Sequence, residues 1–193
     1  WVAAVDTTET GDFSQAALMR RFGVAQEFAS FGADTQLNYG LQIYEDGAVL
    51  CIVVDSGAHG THVAGITAAH HPDCPAQNGV APGAQVLACK IGDERVASAE
   101  TGTGLVRALI ASHGYGVDLI NLSYGESYYQ ADAGRVAQTF TDATRKWGMT
   151  VLTSAGNKGP ALTTLGSPGC LTTPITVGAY VSPGMMADQY SML

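Results

Sequence analysis

His59 stands in Gly57-Ala58-His59-Gly60-Thr61-His62-Val63-Ala64-Gly65, where an apolar run passes through a Gly-containing turn into a small-residue helical one. An imidazole at the mouth of a helix is placed to act as a general base, and Gly60 lets backbone or substrate approach it closely. A second polar group closes Thr153-Ser154-Ala155-Gly156-Asn157. The Asn157 carboxamide is a neutral donor that does not titrate, suited to a developing oxyanion; its plainer reading is a turn-forming Asn ahead of Lys158-Gly159-Pro160. His59, His62, His70, His71 and Cys74 also cluster in sequence, as metal ligands do. Against a metal, there is no HExxH pattern, and the reading puts His59 before the helix, off the face that carries His62. No metal and no cofactor is implied.

The elements that must carry these groups are legible from periodicity. Residues 84–91, 117–124, 149–155 and 174–181 each hold a short apolar or β-branched run, with helix-period segments between most of them, as in βαβ units of a parallel sheet. Leu105, Leu109 and Ser112 share one helix face after Thr101 or Thr103 as cap, and Val136, Phe140, Ala143 and Trp147 recur at helical spacing. The first fifty residues read differently. Val2–Val5 is strand-like, residues 14–21 predict a helix, and Leu41 to Val54 predicts a hairpin through Glu45-Asp46-Gly47.

Composition narrows the function. The 193 residues are 46% hydrophobic and only 13% charged, the balance of a buried-sheet protein. Nine Lys+Arg against seventeen Asp+Glu give a formal charge of −8, which repels polyphosphate, so nucleic acid is not an expected partner. No run of about 18 apolar residues exists to suggest a membrane partner, and the amino terminus lacks a secretory leader pattern. Cys51, Cys74, Cys89 and Cys170 form no CxxC pair, and Cys51 and Cys89, within apolar runs, read as buried thiols.

Taken in order, HGTHVAG, NGVAPGA, KIGD, NLSYG, TSAGN and ITVGA resemble the subtilisin-like serine peptidases from about Gly57 to Tyr180. GAHGTHVAG, NGVAPGAQVL, ETGTGL, NLSYGE and GAYVSP are closer still to a branch of that family that releases tripeptides from free amino termini. The resemblance implies an α/β fold, a subtilisin-like doubly wound parallel sheet with helices on both faces, here incomplete. Residues 1–50 would be the end of an insertion preceding the catalytic His, and residues 51–193 a partial peptidase domain. It implies His59 as general base, Asn157 as oxyanion donor, and Ser123, Tyr124 and Gly125 as the segment whose backbone pairs with substrate. It assigns Glu100 and Glu126 to the substrate's free ammonium, where paired carboxylates would also stop a continuing chain. Without the resemblance, Glu100 reads as a first-turn carboxylate and Glu126 as an exposed loop charge.

Two segments imitate the family's strand-Asp motif, Val53-Val54-Asp55-Ser56-Gly57 and Val2-Ala3-Ala4-Val5-Asp6-Thr7. Asp55 is too near His59 in sequence to stand behind its ring, and Asp6 resembles a stretch downstream of the true triad carboxylate. No serine sits in a Gly-Thr-Ser-Met-type helix start, so the nucleophile is expected beyond Leu193 and the chain alone is expected to be inactive. The resemblance further implies peptide substrates with a free amino terminus, a cytoplasmic location and a large homo-oligomer for the intact enzyme. The rival readings are an endopeptidase in which the two glutamates are incidental, and a peptide-binding module without a nucleophile.

Overall fold

Met19, Tyr39 and Leu41 are buried together near the amino-terminal end, and the strands around them follow from where these three side chains must go. The computed structural model describes all of the chain except residues 33, 35, 36, 55, 56, 94–98, 129 and 191–193. Its contacts group into two units, Trp1–Ala58 and His59–Leu193.

In the first unit β1 (Val2–Ala3) pairs antiparallel with β2 (Met19–Arg20). The helix expected over residues 14–21 is absent. A single 3-10 turn, Phe13–Gln15, is capped by Asp12, whose carboxylate accepts from the Ser14 N–H at 2.8 Å, and the chain then enters β2. A helix that short gains little on its own, whereas pairing with β1 sends Met19 into the core. After the one-turn α1 (Phe22–Ala25), β3 (Phe28–Ser30), β4 (Asn38–Tyr44) and β5 (Val49–Val54) form an antiparallel sheet. The predicted hairpin is β4 and β5, with Leu41 opposite Ile52 and Tyr44 opposite Val49. Glu45, Asp46 and Gly47 all turn at positive φ. Gly47 is required there: a Cβ would stand 2.7 Å from the Trp1 indole, which itself donates to Asp46 at 2.9 Å. Cys51 is exposed, not buried as its apolar run suggested, because β5 is an outer strand with β4 on one side only among the described residues.

The second unit opens with α2 (His59–Ala68) and continues through an antiparallel pair, β6 (Gly92–Asp93) and β7 (Ala99–Glu100). α3 (Gly102–Gly114) follows, N-capped by Thr101, whose hydroxyl accepts from the Gly104 N–H at 3.0 Å. Then come β8 (Leu119–Leu122), β9 (Glu126–Ser127), α4 (Gly134–Arg145), β10 (Thr150–Ser154), β11 (Gly166–Ser167), β12 (Ile175–Val177) and α5 (Pro183–Tyr190). β8, β10 and β12 are parallel in the order β12-β10-β8, the α/β arrangement that the spacing of apolar runs predicts. The first predicted stripe, Leu105, Leu109 and Ser112, is buried on α3; of the second, Phe140 and Ala143 are buried on α4, while Val136 and Trp147, the latter beyond the end of α4, are partly buried. They close on Val151 of β10 and on Met149 and Leu171.

Alternation along the strands sends Val151 and Thr153 toward this core. Leu119, Ile175 and Val177 are left more than half exposed among the described residues. The strand expected over residues 84–91 forms no ladder. Such a strand is held by its neighbour's hydrogen bonds, and among the described residues β8 pairs with β10 alone, so Val86 and Leu87 stay exposed. Cys89 lies in this run and is exposed as well, contrary to its expected burial.

Candidate active site

His59 is the first residue of α2, so it shares a helix side with His62 one turn on, whereas the sequence places it ahead of the helix. Among the described residues no three His, Cys, Asp or Glu side chains gather as metal ligands would. Chain beyond α2 holds the helix at its far end. The N–H groups of Gly79, Val80 and Ala81 donate to the carbonyls of Ala69, Ile66 and Thr67 at 2.8, 3.0 and 2.7 Å. These are carbonyls the helix cannot satisfy itself, so the NGVAPG segment is a C-terminal cap for the helix that bears the imidazole. Gly79 is there by necessity, since a Cβ would lie 2.6 Å from the Ala68 nitrogen and 2.7 Å from that of Ala69. Asn78 adds its carboxamide oxygen, which accepts from the His71 N–H at 2.6 Å.

Asn157 lies on the bend that follows β10. Ala155 still donates to the Val177 carbonyl at 2.9 Å, and Gly156, at φ +87°, then swings the chain off the sheet and leaves Asn157 exposed. That accounts for the Ala-Gly-Asn order: strand end, left-handed turn, solvent-facing amide. His59 and Asn157 stand on separate elements, the one opening a helix and the other following a strand.

Ser123, Tyr124 and Gly125 follow β8, whose ladder with β10 covers Leu119 to Leu122. The Asn121 amide donates to the Ser123 hydroxyl at 3.0 Å, and Ser154 donates to the Tyr124 carbonyl at 3.3 Å, tying the segment to β10. Gly125 passes close under residue 167, where a Cβ would come within 3.2 Å of the Ser167 carbonyl. β9 then pairs antiparallel with β11, Glu126 opposite Ser167. A Cβ on Gly166 would stand 2.7 Å from the Glu126 carbonyl oxygen, so only glycine lets β11 approach.

The structure does bring Glu100, Glu126 and Tyr124 together. Glu100 ends β7, just before the Thr101 cap, so it is not the first-turn carboxylate of the plainer reading. Its N–H donates to the Tyr124 hydroxyl at 3.0 Å, and that hydroxyl donates to the Glu126 carboxylate at 3.3 Å. Glu100 Oε2 is buried with no hydrogen-bond partner. Burial, and then the charge of Glu126, hold the Glu100 carboxyl above its ordinary range, against hydrogen bonds from its own backbone and from Tyr124 that lower it. Burial first, then the hydrogen bond and charge of Glu100 and the charge of Glu126, push the Tyr124 phenol up to about 12. A cavity of about 210 Å³ is lined by both carboxylates together with Tyr128, Arg135, Val136 and Leu171. A buried acceptor without a hydrogen bond, beside a second carboxylate, is chemistry matched to a cationic donor.

Asp6 is engaged elsewhere. One carboxylate oxygen accepts from the Thr8 N–H at 2.9 Å and the Thr8 hydroxyl at 2.6 Å, and the other from the Gly11 N–H at 2.6 Å. The Thr8 hydroxyl above all, with these N–H groups, holds its carboxyl below the ordinary range, and both oxygens serve a local turn. Asp55 lies outside the described residues. Three contributors escape a reading of the sequence: the Tyr124 side chain, Gly79 and Gly166. The glycines carry a signal, since each stands in a turn-type segment, Asn78-Gly79-Val80-Ala81-Pro82-Gly83 and Gly166-Ser167-Pro168-Gly169.

Residues 42–191 match the Subtilase family. The chain is 45% identical over 200 residues to tripeptidyl-peptidase 2 of Arabidopsis thaliana, covering all of this chain and 14% of that one. It is 40% identical over 199 residues to tripeptidyl-peptidase 2 of Drosophila melanogaster, again covering all of this chain and 14% of that one. A crystal structure of tripeptidyl peptidase 2 superposes with a TM-score of 0.79 at 38% identity, over 96% of this chain and 16% of that one. This chain thus spans about one seventh of the length of these curated relatives. No helix among the described residues is long and apolar enough to cross a membrane.

Proposed function

Since the chain belongs to the subtilase family, we propose that it supplies the general base, the oxyanion donor and the amino-terminal anchor of a serine-type peptidase that releases tripeptides from free amino termini. The observation that carries this reading is the convergence of Glu100 and Glu126 on one cavity, with Glu100 Oε2 buried and unpaired. A substrate ammonium satisfies that oxygen as donor and cation at once. It also offsets the burial and, after it, the Glu126 charge that raise the Glu100 carboxyl. Three extended residues reach about 10 Å, so an ammonium held at the carboxylates sets the third peptide bond at the reacting centre. The names of the tripeptidyl-peptidase 2 relatives support the same product length.

In this reading His59 takes the proton of an attacking serine hydroxyl and returns it to the leaving amine, while the Asn157 amide donates to the tetrahedral oxyanion. The backbone of residues 123–125 aligns the substrate strand. The serine and the triad carboxylate come from elsewhere in the full-length polypeptide, so the chain alone binds peptides and does not hydrolyse them. On the same resemblance, the full-length enzyme is cytoplasmic and assembles as a large homo-oligomer.

The test is turnover of a tripeptide amide with a free amino terminus against its N-acetylated counterpart, by the full-length polypeptide. Strong preference for the free amine, lost in Glu126→Gln, is the expected result. Equal turnover of the two substrates refutes the reading in favour of an endopeptidase.

A further inference from the structure

The backbone of Tyr124 belongs to the segment that would align substrate, yet its side chain has a separate engagement. Its hydroxyl accepts from the Glu100 N–H at 3.0 Å and donates to the Glu126 carboxylate at 3.3 Å. Glu100 belongs to the β6–β7 ribbon and Glu126 to the β9–β11 ribbon, two separate sheets with no ladder between them among the described residues. The phenol is therefore a direct bond between the elements that carry the two anionic side chains. Its own base is fixed, because the Ser154 hydroxyl holds the Tyr124 carbonyl to β10.

We propose that Tyr124 is a positioning residue that holds the Glu100 and Glu126 carboxylates at one spacing, and so sets how well this site tells a free amino terminus from a blocked one. The inference rests on the exopeptidase reading above. The chemistry of a phenol suits this role, because a hydroxyl can accept and donate at once, so one group bridges a backbone donor and a carboxylate acceptor. Because the phenol titrates only near 12, it remains a donor throughout the working pH range. A Phe at this position keeps the ring and loses both bonds, leaving the Glu100 N–H without this acceptor and Glu126 free to turn toward solvent.

The experiment compares Tyr124→Phe, Glu126→Gln and the double variant with wild type, all as full-length polypeptide, on free and N-acetylated tripeptide amides. Y124F is expected to raise KM for the free-amine substrate about tenfold, with a smaller effect on kcat and on the acetylated substrate. In the double variant the Tyr124 effect should be smaller than in the wild-type background, since one of the two charges it positions is already gone. Four results overturn the proposal: wild-type KM in Y124F; equal loss on both substrates; full multiplication of the two single effects; or a Y124F that melts early yet keeps its preference for the free amine. If wild type itself cleaves both substrates equally, the exopeptidase reading falls and takes this one with it. A discriminating wild type with an undisturbed Y124F sinks the role of Tyr124 alone.

Discussion

Replacing Glu100 by Gln should separate function from stability in opposite directions. The change keeps the side-chain shape and removes a charge whose Oε2 is buried and unpaired. A substrate ammonium then loses one charge-assisted hydrogen bond, worth about 1.5–3 kcal/mol. At about 1.4 kcal/mol per factor of ten, kcat/KM for a free-amine tripeptide substrate falls about 10- to 150-fold, mostly through KM. Stability moves the other way. The Glu100 carboxyl is raised in the folded protein, by burial first and then by Glu126. The folded state therefore holds this proton more tightly than the unfolded one does. That contribution is complete below the unfolded pKa and is lost as pH rises through the folded one. At neutral pH the ionised carboxylate thus costs stability, and E100Q should melt no lower than wild type. The same raised value gives an acid limb: kcat/KM for free-amine substrates should fall as pH drops through it, starting above the ordinary carboxylate range. Among the described residues, the titratable groups at this site besides Glu100 are Tyr124 and Glu126, with Tyr128 and Arg135 also lining the cavity. The assays are steady-state kinetics on free and acetylated substrates, their pH profiles, and thermal melting of the full-length polypeptide. Undiminished kcat/KM, equal loss on the acetylated substrate, or a lower melting point in E100Q would each refute the reasoning.

Three further outcomes are expected. Asn157→Ala should lower kcat about 100- to 1,000-fold with little change in KM, the signature of a donor used in the transition state, read by steady-state kinetics. Gly166→Ala should push β11 off β9 through the contact of its Cβ with the Glu126 carbonyl, costing about 1–3 kcal/mol and raising KM for free-amine substrates. Phe140→Ala, which empties a fully buried site between α4 and β10, should cost about 3–5 kcal/mol in denaturant unfolding without altering substrate preference.

Where periodicity and packing agree, the fold is legible. Phe140 and Ala143 recur at helical spacing and are sealed from solvent, and Thr101, a cap by its position before a helical stripe, accepts the Gly104 N–H. The Leu41 to Val54 hairpin follows from alternation around Asp-Gly. Failures occur where a distant partner decides. Met19 leaves a helical stretch for a strand because β1 and Tyr39 offer it burial, and neither is visible within its own window. Residues 84–91 have strand composition and no ladder, since composition cannot say whether a neighbour's edge is available. At the site, motifs point to Glu100 and Glu126, and the structure brings them to one cavity. The Tyr124 phenol stays hidden because only three dimensions reveal that its hydroxyl touches residues 24 and two positions away.

The seat of Gly79 on the last turn of α2 turns that helix into a lever. Ten residues span about 15 Å, with the imidazole at one tip and a side-chain-free pivot at the other. A methyl group at the pivot has nowhere to go but into the rod, and whatever tilt results is delivered to the opposite tip. Under the peptidase reading proposed above, a variant at residue 79 should therefore register as lost turnover in the full-length polypeptide, although it sits at the opposite end of α2 from the imidazole.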